Sequence, residues 1–110
     1  MRVIRLKPYV RAMEKMGLAE DAMREIEAGI VREPFAHPVV KGLGGVRKMR
    51  VARPGTGKSG GGRVLYFLAM GAGTLAMLTA YAKNVQEDLS PSDRRAILRT
   101  ISMLLDGETK

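Results

Sequence analysis

The chain has 110 residues, of which 45% are hydrophobic, and it carries a formal net charge of +8 at pH 7. This length and composition fit one folded domain over residues 1–110 and exclude a disordered or multidomain chain. The absence of cysteine excludes disulfides and thiolate metal sites, and the single histidine, His37, excludes a histidine metal site.

The N-terminal third predicts one short strand followed by two helices. Residues 2–6 alternate charged and apolar side chains, a pattern typical of a strand. Pro8 suits the first turn of a helix, where its missing N–H has no partner to lose. A second helix is predicted over residues 19–32 from its apolar stripe, and Pro34 ends it. A loop rich in glycine and proline follows.

The remaining residues predict three strands and a last helix. Residues 46–52 alternate, and the two apolar runs 63–70 and 74–82 are typical of buried strands. Ser90 is a predicted N-cap whose helix ends at Gly107. The order β-α-α-β-β-β-α indicates an α+β fold in which helices pack an antiparallel sheet.

An uncharged run over residues 64–82 approaches the length of a transmembrane helix. Its centre, Gly71-Ala72-Gly73, is unfavourable in a helix and favourable in a turn. We therefore interpret the run as two strands and expect no association with a membrane. Charged residues recur throughout residues 1–18, so no signal peptide is predicted, and we expect a cytoplasmic protein.

A second misleading pattern lies at residues 52–59, where A-x-x-x-x-G-K-S satisfies a relaxed nucleotide-binding P-loop. A P-loop needs a helix that starts at its lysine, so that amide groups cradle the phosphates. Here three glycines and a strand-like run follow Lys58, and no acidic residue is available nearby to hold magnesium. We therefore reject nucleotide binding, although Arg53, Lys58 and the glycine amides suit contact with phosphate.

Positive charge is confined to the middle of the chain. Residues 34–86 hold eight basic residues and no acidic one, whereas the segments on either side are nearly neutral. Uncompensated charge of this kind indicates a polyanionic partner. A merely solubilising surface, the alternative, usually interleaves both signs.

Four of these cations are candidates for a single surface. Lys48 and Arg50 share one face of the first meander strand, because side chains at i and i+2 point the same way. Arg63 starts the next strand and Lys83 follows the third, so a suitable register would bring the four together. Converging Arg and Lys side chains suit a phosphodiester, since they stabilise charge that develops in a transition state. Solvated strand ends, or ends paired with an acidic partner, are the alternative.

Four strings carry a family resemblance over residues 44–98. They read G-G-V-R-K-M-R-V-A, G-x-G-K-S-G-G-G-R-V-L-Y, L-T-A-Y-A-K-N and E-D-L-S. Together they resemble the HigB branch of the RelE/ParE toxin superfamily, the toxins of type II toxin–antitoxin systems. The resemblance also implies the α+β fold and the order of elements given above.

The resemblance implies a metal-independent endoribonuclease, a hydrolase without cofactor that inhibits translation by cutting mRNA on the ribosome. By position, it implies catalytic roles for Lys48, Arg50, Arg63 and Lys83. We expect RNA contacts from Arg47, Arg53, Lys58, Tyr81 and Asn84. The partner implied is an antitoxin, typically a HigA-like helix-turn-helix protein, and the oligomeric state is left open.

The general acid and base are also left open. Gln86 and Ser90 stand where the RelE branch has a catalytic arginine and tyrosine, and Tyr81, Tyr66 or Lys48 are possible substitutes. Two other functions remain as alternatives: a non-catalytic RNA- or partner-binding protein of the same fold, and a ParE-like inhibitor of DNA gyrase.

Overall fold

The computed structural model describes the backbone of residues 1–54 and 61–109. The elements are β1 (Arg2–Arg5), α1 (Lys7–Lys15), α2 (Glu20–Arg32), β2 (Arg47–Val51), β3 (Gly62–Ala69), β4 (Thr74–Ala82) and α3 (Pro91–Thr109). Their order is the predicted one. The predicted end of the last helix is wrong, because α3 continues through Gly107. Glycine disfavours a helix by only about 1 kcal/mol and does not forbid one.

The four strands form one sheet in the order β1-β4-β3-β2. Strands β2, β3 and β4 form the predicted antiparallel meander, in which Arg50 lies opposite Arg63 and Arg63 opposite Tyr81. Strand β1, however, runs parallel to β4, so the sheet is mixed rather than antiparallel throughout. The chain between these two strands contains α1, α2, β2 and β3, so it is long enough for the crossover that parallel neighbours need.

Helices cover both faces of the sheet and divide the core into two clusters. Strand β3 alternates between them, so that Val64 and Tyr66 face α1 and α2 while Leu65 and Phe67 face α3. This alternation confirms that residues 64–82 form buried strands. In the described part of the chain, no helix is long and apolar enough to cross a membrane.

A buried acidic residue ties β1 to the two N-terminal helices. Glu27 is 6% exposed, and its carboxylate accepts hydrogen bonds from Arg5 Nε and Nη2, both at 2.8 Å, and from the Tyr9 hydroxyl at 2.9 Å. Glu20 is the second carboxylate bonded to Arg5, and this contact holds the pKa of Glu20 below its usual range. Burial, together with the Glu27 charge, raises the pKa of Tyr9. Paired in this way, the charges of Glu27 and Arg5 fix the position of β1.

The predicted cap of α3 is confirmed in both directions. The Ser90 hydroxyl accepts a hydrogen bond from the Asp93 amide at 3.0 Å, and the Asp93 carboxylate accepts one from the Ser90 amide at 3.1 Å. This reciprocal capping box starts the helix at Pro91. The residues before it, 83–90, lead from the end of β4 to the face of the sheet that carries the basic residues.

Candidate nucleic-acid interface

All four cations predicted to converge lie around one cleft of about 370 Å³. Its lining residues are His37, Pro38, Lys48, Arg50, Arg63, Lys83 and Glu87. The cleft is on the α3 face of the sheet, near the edge where β2 and β4 end and β3 begins. Four cations and one acidic residue among the described lining residues make the cleft strongly electropositive, as a phosphate-binding surface requires.

The strand register explains why these residues meet. Arg50, Arg63 and Tyr81 are direct cross-strand neighbours on β2, β3 and β4, and so form one row on the same face. Lys48 lies in the next row, opposite Leu65. Strand β4 then ends at Ala82, which places Lys83 at the rim of the same face. The sequence could not supply this register.

Arg63 is the most buried of the four cations, with 8% of its surface exposed. Its Nη1 donates to the Gly62 carbonyl at 3.0 Å, and it has no carboxylate within 4.0 Å in the described part of the chain. A buried guanidinium has five donors and ordinarily meets a carboxylate or phosphate. Arg63 is therefore held in the sheet with its charge unanswered by any carboxylate of the described residues.

Two glycines allow β3 to begin this close to its neighbours. A Cβ at Gly61 would collide with the Val51 carbonyl oxygen, and one at Gly62 would lie 2.8 Å from the Met16 sulfur. At Gly61 only glycine allows the two backbones to approach so closely, whereas at Gly62 a side chain would displace Met16. The glycines thus fix where β3 starts and, through it, where Arg63 lies.

The segment after β4 closes the far side of the cleft. The Tyr81 hydroxyl and the Lys83 ammonium both donate to the Glu87 carbonyl oxygen, at 3.5 and 3.4 Å. Tyr81 is 5% exposed, and burial raises the pKa of its hydroxyl although the nearby Arg63 charge opposes the shift. The Tyr81 hydroxyl therefore stays protonated at neutral pH and can donate a hydrogen bond. Glu87, at this junction, is a cleft residue that the sequence reasoning missed, and its place in the E-D-L-S string was the signal available.

Among the predicted RNA-binding residues that the structure describes, none lines this cleft. Arg47 lies on the opposite face of β2, where it donates to the His37 carbonyl at 2.7 Å and lies over the Phe35 ring at 5.2 Å. Arg47 therefore holds the loop that precedes β2. His37 packs its ring edge-on against Tyr66, with ring centroids 6.2 Å apart, and it also lines the rim of the cleft.

Arg53 and Asn84 form a pair beyond the end of the sheet. Arg53 Nη1 donates to the Asn84 side-chain oxygen at 3.0 Å, which joins the chain after β2 to the chain after β4. Arg53 lines a second groove on the other side of β4. The prediction for Lys58, like the rejected P-loop that contains it, concerns residues outside those described.

The structure also separates the candidates for proton transfer. Tyr66 is fully buried on the α1–α2 face, and its hydroxyl donates to the Pro34 carbonyl at 2.9 Å, away from the cleft. Ser90 caps α3, and the Gln86 amide donates to the Asp88 carbonyl at 2.8 Å. Tyr81 and Lys48 remain on the cleft face. In the described residues, no three His, Cys, Asp or Glu side chains cluster in a way that would hold a metal ion.

Two comparisons with known proteins agree with this architecture. The chain resembles a solved structure of the E. coli toxin RelE, a double arginine-to-alanine mutant in the free state, with a TM-score of 0.52. The two are 12% identical, and the match covers 78% of this chain and 86% of that one, so it shows the shared fold. The family model for the RelE toxin of the RelE/RelB toxin–antitoxin system matches residues 1–109. With the α+β fold and the full-length match together, the chain belongs to the RelE toxin family.

Proposed function

We propose that this toxin is an endoribonuclease that cuts mRNA on the ribosome, and that Lys48, Arg50, Arg63 and Lys83 form its catalytic cleft. The observation that carries the proposal is the convergence of these four cations, with Arg63 buried and without a carboxylate within 4.0 Å among the residues that the structure describes. Such a site is prepared for an anion from outside the chain. An RNA phosphodiester supplies that anion and is the substrate class for which the family is known.

The chemistry that fits this cleft is attack by a ribose 2′-hydroxyl on the adjacent phosphate. The new 2′-oxygen–phosphorus bond forms while the bond from phosphorus to the 5′-oxygen breaks. A 2′,3′-cyclic phosphate and a free 5′-hydroxyl result, with one proton leaving the 2′-oxygen and one reaching the 5′-oxygen. The cations stabilise the negative charge that builds on the phosphoryl oxygens, so this reaction needs no cofactor.

Two residues have distinct expected roles within this scheme. Arg63 donates to the scissile phosphate, because its position is fixed by the buried strand that follows it. Tyr81, whose pKa is raised by burial, serves as a hydrogen-bond donor rather than as a base. Lys48 and Arg50 bind the phosphates on the exposed side of the cleft, where each contact depends on salt.

We also propose a cognate antitoxin of the HigA-like, helix-turn-helix kind. An acidic segment of such a protein laid across β2 and the start of β3 would satisfy Lys48, Arg50 and Arg63 and would exclude RNA. The site of action would be the cytoplasm, where ribosomes are available. Co-purification of toxin and antitoxin, disrupted by reversal of the acidic charges, would test this partner.

The experiment that tests the function is inducible expression with mapping of mRNA ends. We expect growth arrest with cleavage inside translated coding regions for the parent chain, and loss of both for Arg63→Ala. The matched control is Arg95→Ala, which removes an exposed cation from α3, outside the cleft. It should arrest growth as the parent does.

Other outcomes would support the other candidate functions. Growth arrest with intact mRNA and damaged DNA would identify a gyrase inhibitor and refute the ribonuclease. Absence of any phenotype, with RNA binding retained in vitro, would instead identify a non-catalytic binding protein. Equal loss of activity in the Arg63 and Arg95 variants would show that general charge, and not the cleft, is responsible.

A further inference from the structure

A second groove, of about 390 Å³, lies between α1 and the turn that follows β4. Its lining residues are Pro8, Arg11, Ala12, Lys15, Met16, Arg53, Ala80, Tyr81, Ala82, Val85 and Gln86. Arg11 and Lys15 are exposed and project from one side of α1, as residues four apart in a helix do. Arg53 approaches the groove from the end of β2, where it is bonded to Asn84.

Among the described residues, the lining of this groove includes three cations and no acidic residue. Arg11 and Lys15 have no carboxylate within 4.0 Å in the part of the chain that the structure describes, although Glu14 lies on the same helix. Like charges at this helical spacing destabilise a helix by a few tenths of a kcal/mol. The N-terminal segment is nearly neutral in sequence, so only the fold adds its Arg11 and Lys15 to the basic middle segment.

Tyr81, on β4, lies between this groove and the cleft, which open on opposite faces of the sheet. It lines the groove, lies directly opposite Arg63 on β3, and shares the Glu87 carbonyl with the cleft residue Lys83. The turn after β4 joins the two sites, with Lys83 and Glu87 in the cleft and Val85 and Gln86 in the groove. A single RNA strand whose phosphate is held at Arg63 must continue away from the cleft in both directions. A strand that leaves the cleft past the turn after β4 meets further positive charge in the groove.

We propose that the groove of Arg11, Lys15 and Arg53 binds the RNA strand beside the scissile phosphate, as a second backbone-binding site. The inference deepens the proposed function, since it takes single-stranded RNA to be the substrate. It assigns to α1 a role in substrate binding that is separate from its packing in the core. The contacts are to phosphates, so they should strengthen binding without selecting a base sequence.

The test compares Arg11→Gln/Lys15→Gln with the parent in binding an uncleavable, fully 2′-O-methylated dodecanucleotide at several salt concentrations. Each phosphate contact on a single strand contributes about 0.7 to the slope of log affinity against log salt, so the double variant should lose about 1.4. Over a fourfold rise in salt, the parent should therefore lose about sevenfold more affinity than the variant. A 2′-O-methylated dinucleotide, which occupies the cleft alone, should bind both proteins equally.

Arg95→Gln/Arg99→Gln is the matched control. It removes two exposed cations, also four residues apart on one helix, from α3 and outside both the cleft and the groove. Its salt slope should equal that of the parent. Thermal melting of all three proteins should show that each is folded, since all four residues are exposed.

The proposal is overturned if the groove variant keeps the slope of the parent, or if the control loses as much. A groove variant that binds RNA normally but loses affinity for polyglutamate would assign the groove to an acidic protein partner and would also overturn it. Cleavage is measured separately on unmodified RNA. If the parent cleaves RNA but the groove variant binds RNA as tightly as the parent, the groove proposal alone is refuted. If the parent binds RNA through the groove but does not cleave it, the proposed function alone is refuted.

Discussion

Replacing Arg63 with methionine should stabilise the fold while abolishing RNA cleavage. Arg63 is 8% exposed, lies directly opposite Arg50 and has no carboxylate within 4.0 Å among the described residues. Taking a charge out of water costs several kcal/mol unless it is paired. Methionine is unbranched and flexible and matches the stem of the arginine side chain without its guanidinium, so the packing of that stem on β3 is largely retained.

The magnitude follows from three terms. The variant regains part of the free energy that desolvation of the Arg63 charge costs. Removal of the repulsion between Arg50 and Arg63 contributes about 0.2–1 kcal/mol. Loss of the hydrogen bond to the Gly62 carbonyl costs about 0.5–1.5 kcal/mol. We expect a net gain of about 1–2 kcal/mol, which for a chain of this size raises Tm by about 4–8 °C.

Urea and thermal unfolding measure this gain, and Arg50→Met is the matched control. Arg50 is exposed, so replacing it removes the repulsion between Arg50 and Arg63 but recovers little desolvation free energy. Its gain in stability should therefore be smaller than that of Arg63→Met. RNA at about 100 times its Kd should add about 2.7 kcal/mol to the stability of the parent and much less to that of the Arg63 variant. A lower Tm for Arg63→Met would refute the reasoning, because it would show that Arg63 stabilises the fold.

Three further predictions concern the fold around the site. Glu27→Gln should lower the free energy of unfolding by about 2–3 kcal/mol, since it leaves Arg5 and Tyr9 without their shared carboxylate. The exposed control, Glu25→Gln, should change it by less than about 0.5 kcal/mol. Equal effects of the two variants would contradict a structural role for the network of Glu27, Arg5 and Tyr9. Burial raises the pKa of all three tyrosines, so the unfolded state binds fewer protons above about pH 10 and stability should fall as pH rises further. Tyrosinate absorbance should then rise together with unfolding. Ionisation of all three tyrosines at the ordinary pKa, in a protein that stays folded, would contradict the raised pKa values. Gly61→Ala should lower the free energy of unfolding by about 1–3 kcal/mol, because its Cβ collides with the Val51 carbonyl. Gly29→Ala on α2, whose Cβ would have its nearest neighbour 3.7 Å away, should raise it by about 0.5–1 kcal/mol. Urea unfolding that ranks the two variants in the reverse order would disprove the close approach at Gly61.

Local patterns in the sequence determined the elements of this protein and which side chains share a strand face. The two-residue period of β2 separated Lys48 and Arg50 from Arg47, and the structure confirms this separation. The capping box at Ser90 was equally readable, because its donors and acceptors lie within four residues of one another. The resemblance in the middle of the chain also indicated the family that the full-length match shows.

Relations between distant segments were decided only by tertiary structure. The parallel pairing of β1 with β4, the burial of Glu27 and the row of Arg50, Arg63 and Tyr81 all depend on register, which no local periodicity specifies. The positive charge of the middle segment could be counted from the sequence. Its division between a cleft on one side of β4 and a groove completed by α1 could not, because charges from separate elements meet only when the core has packed.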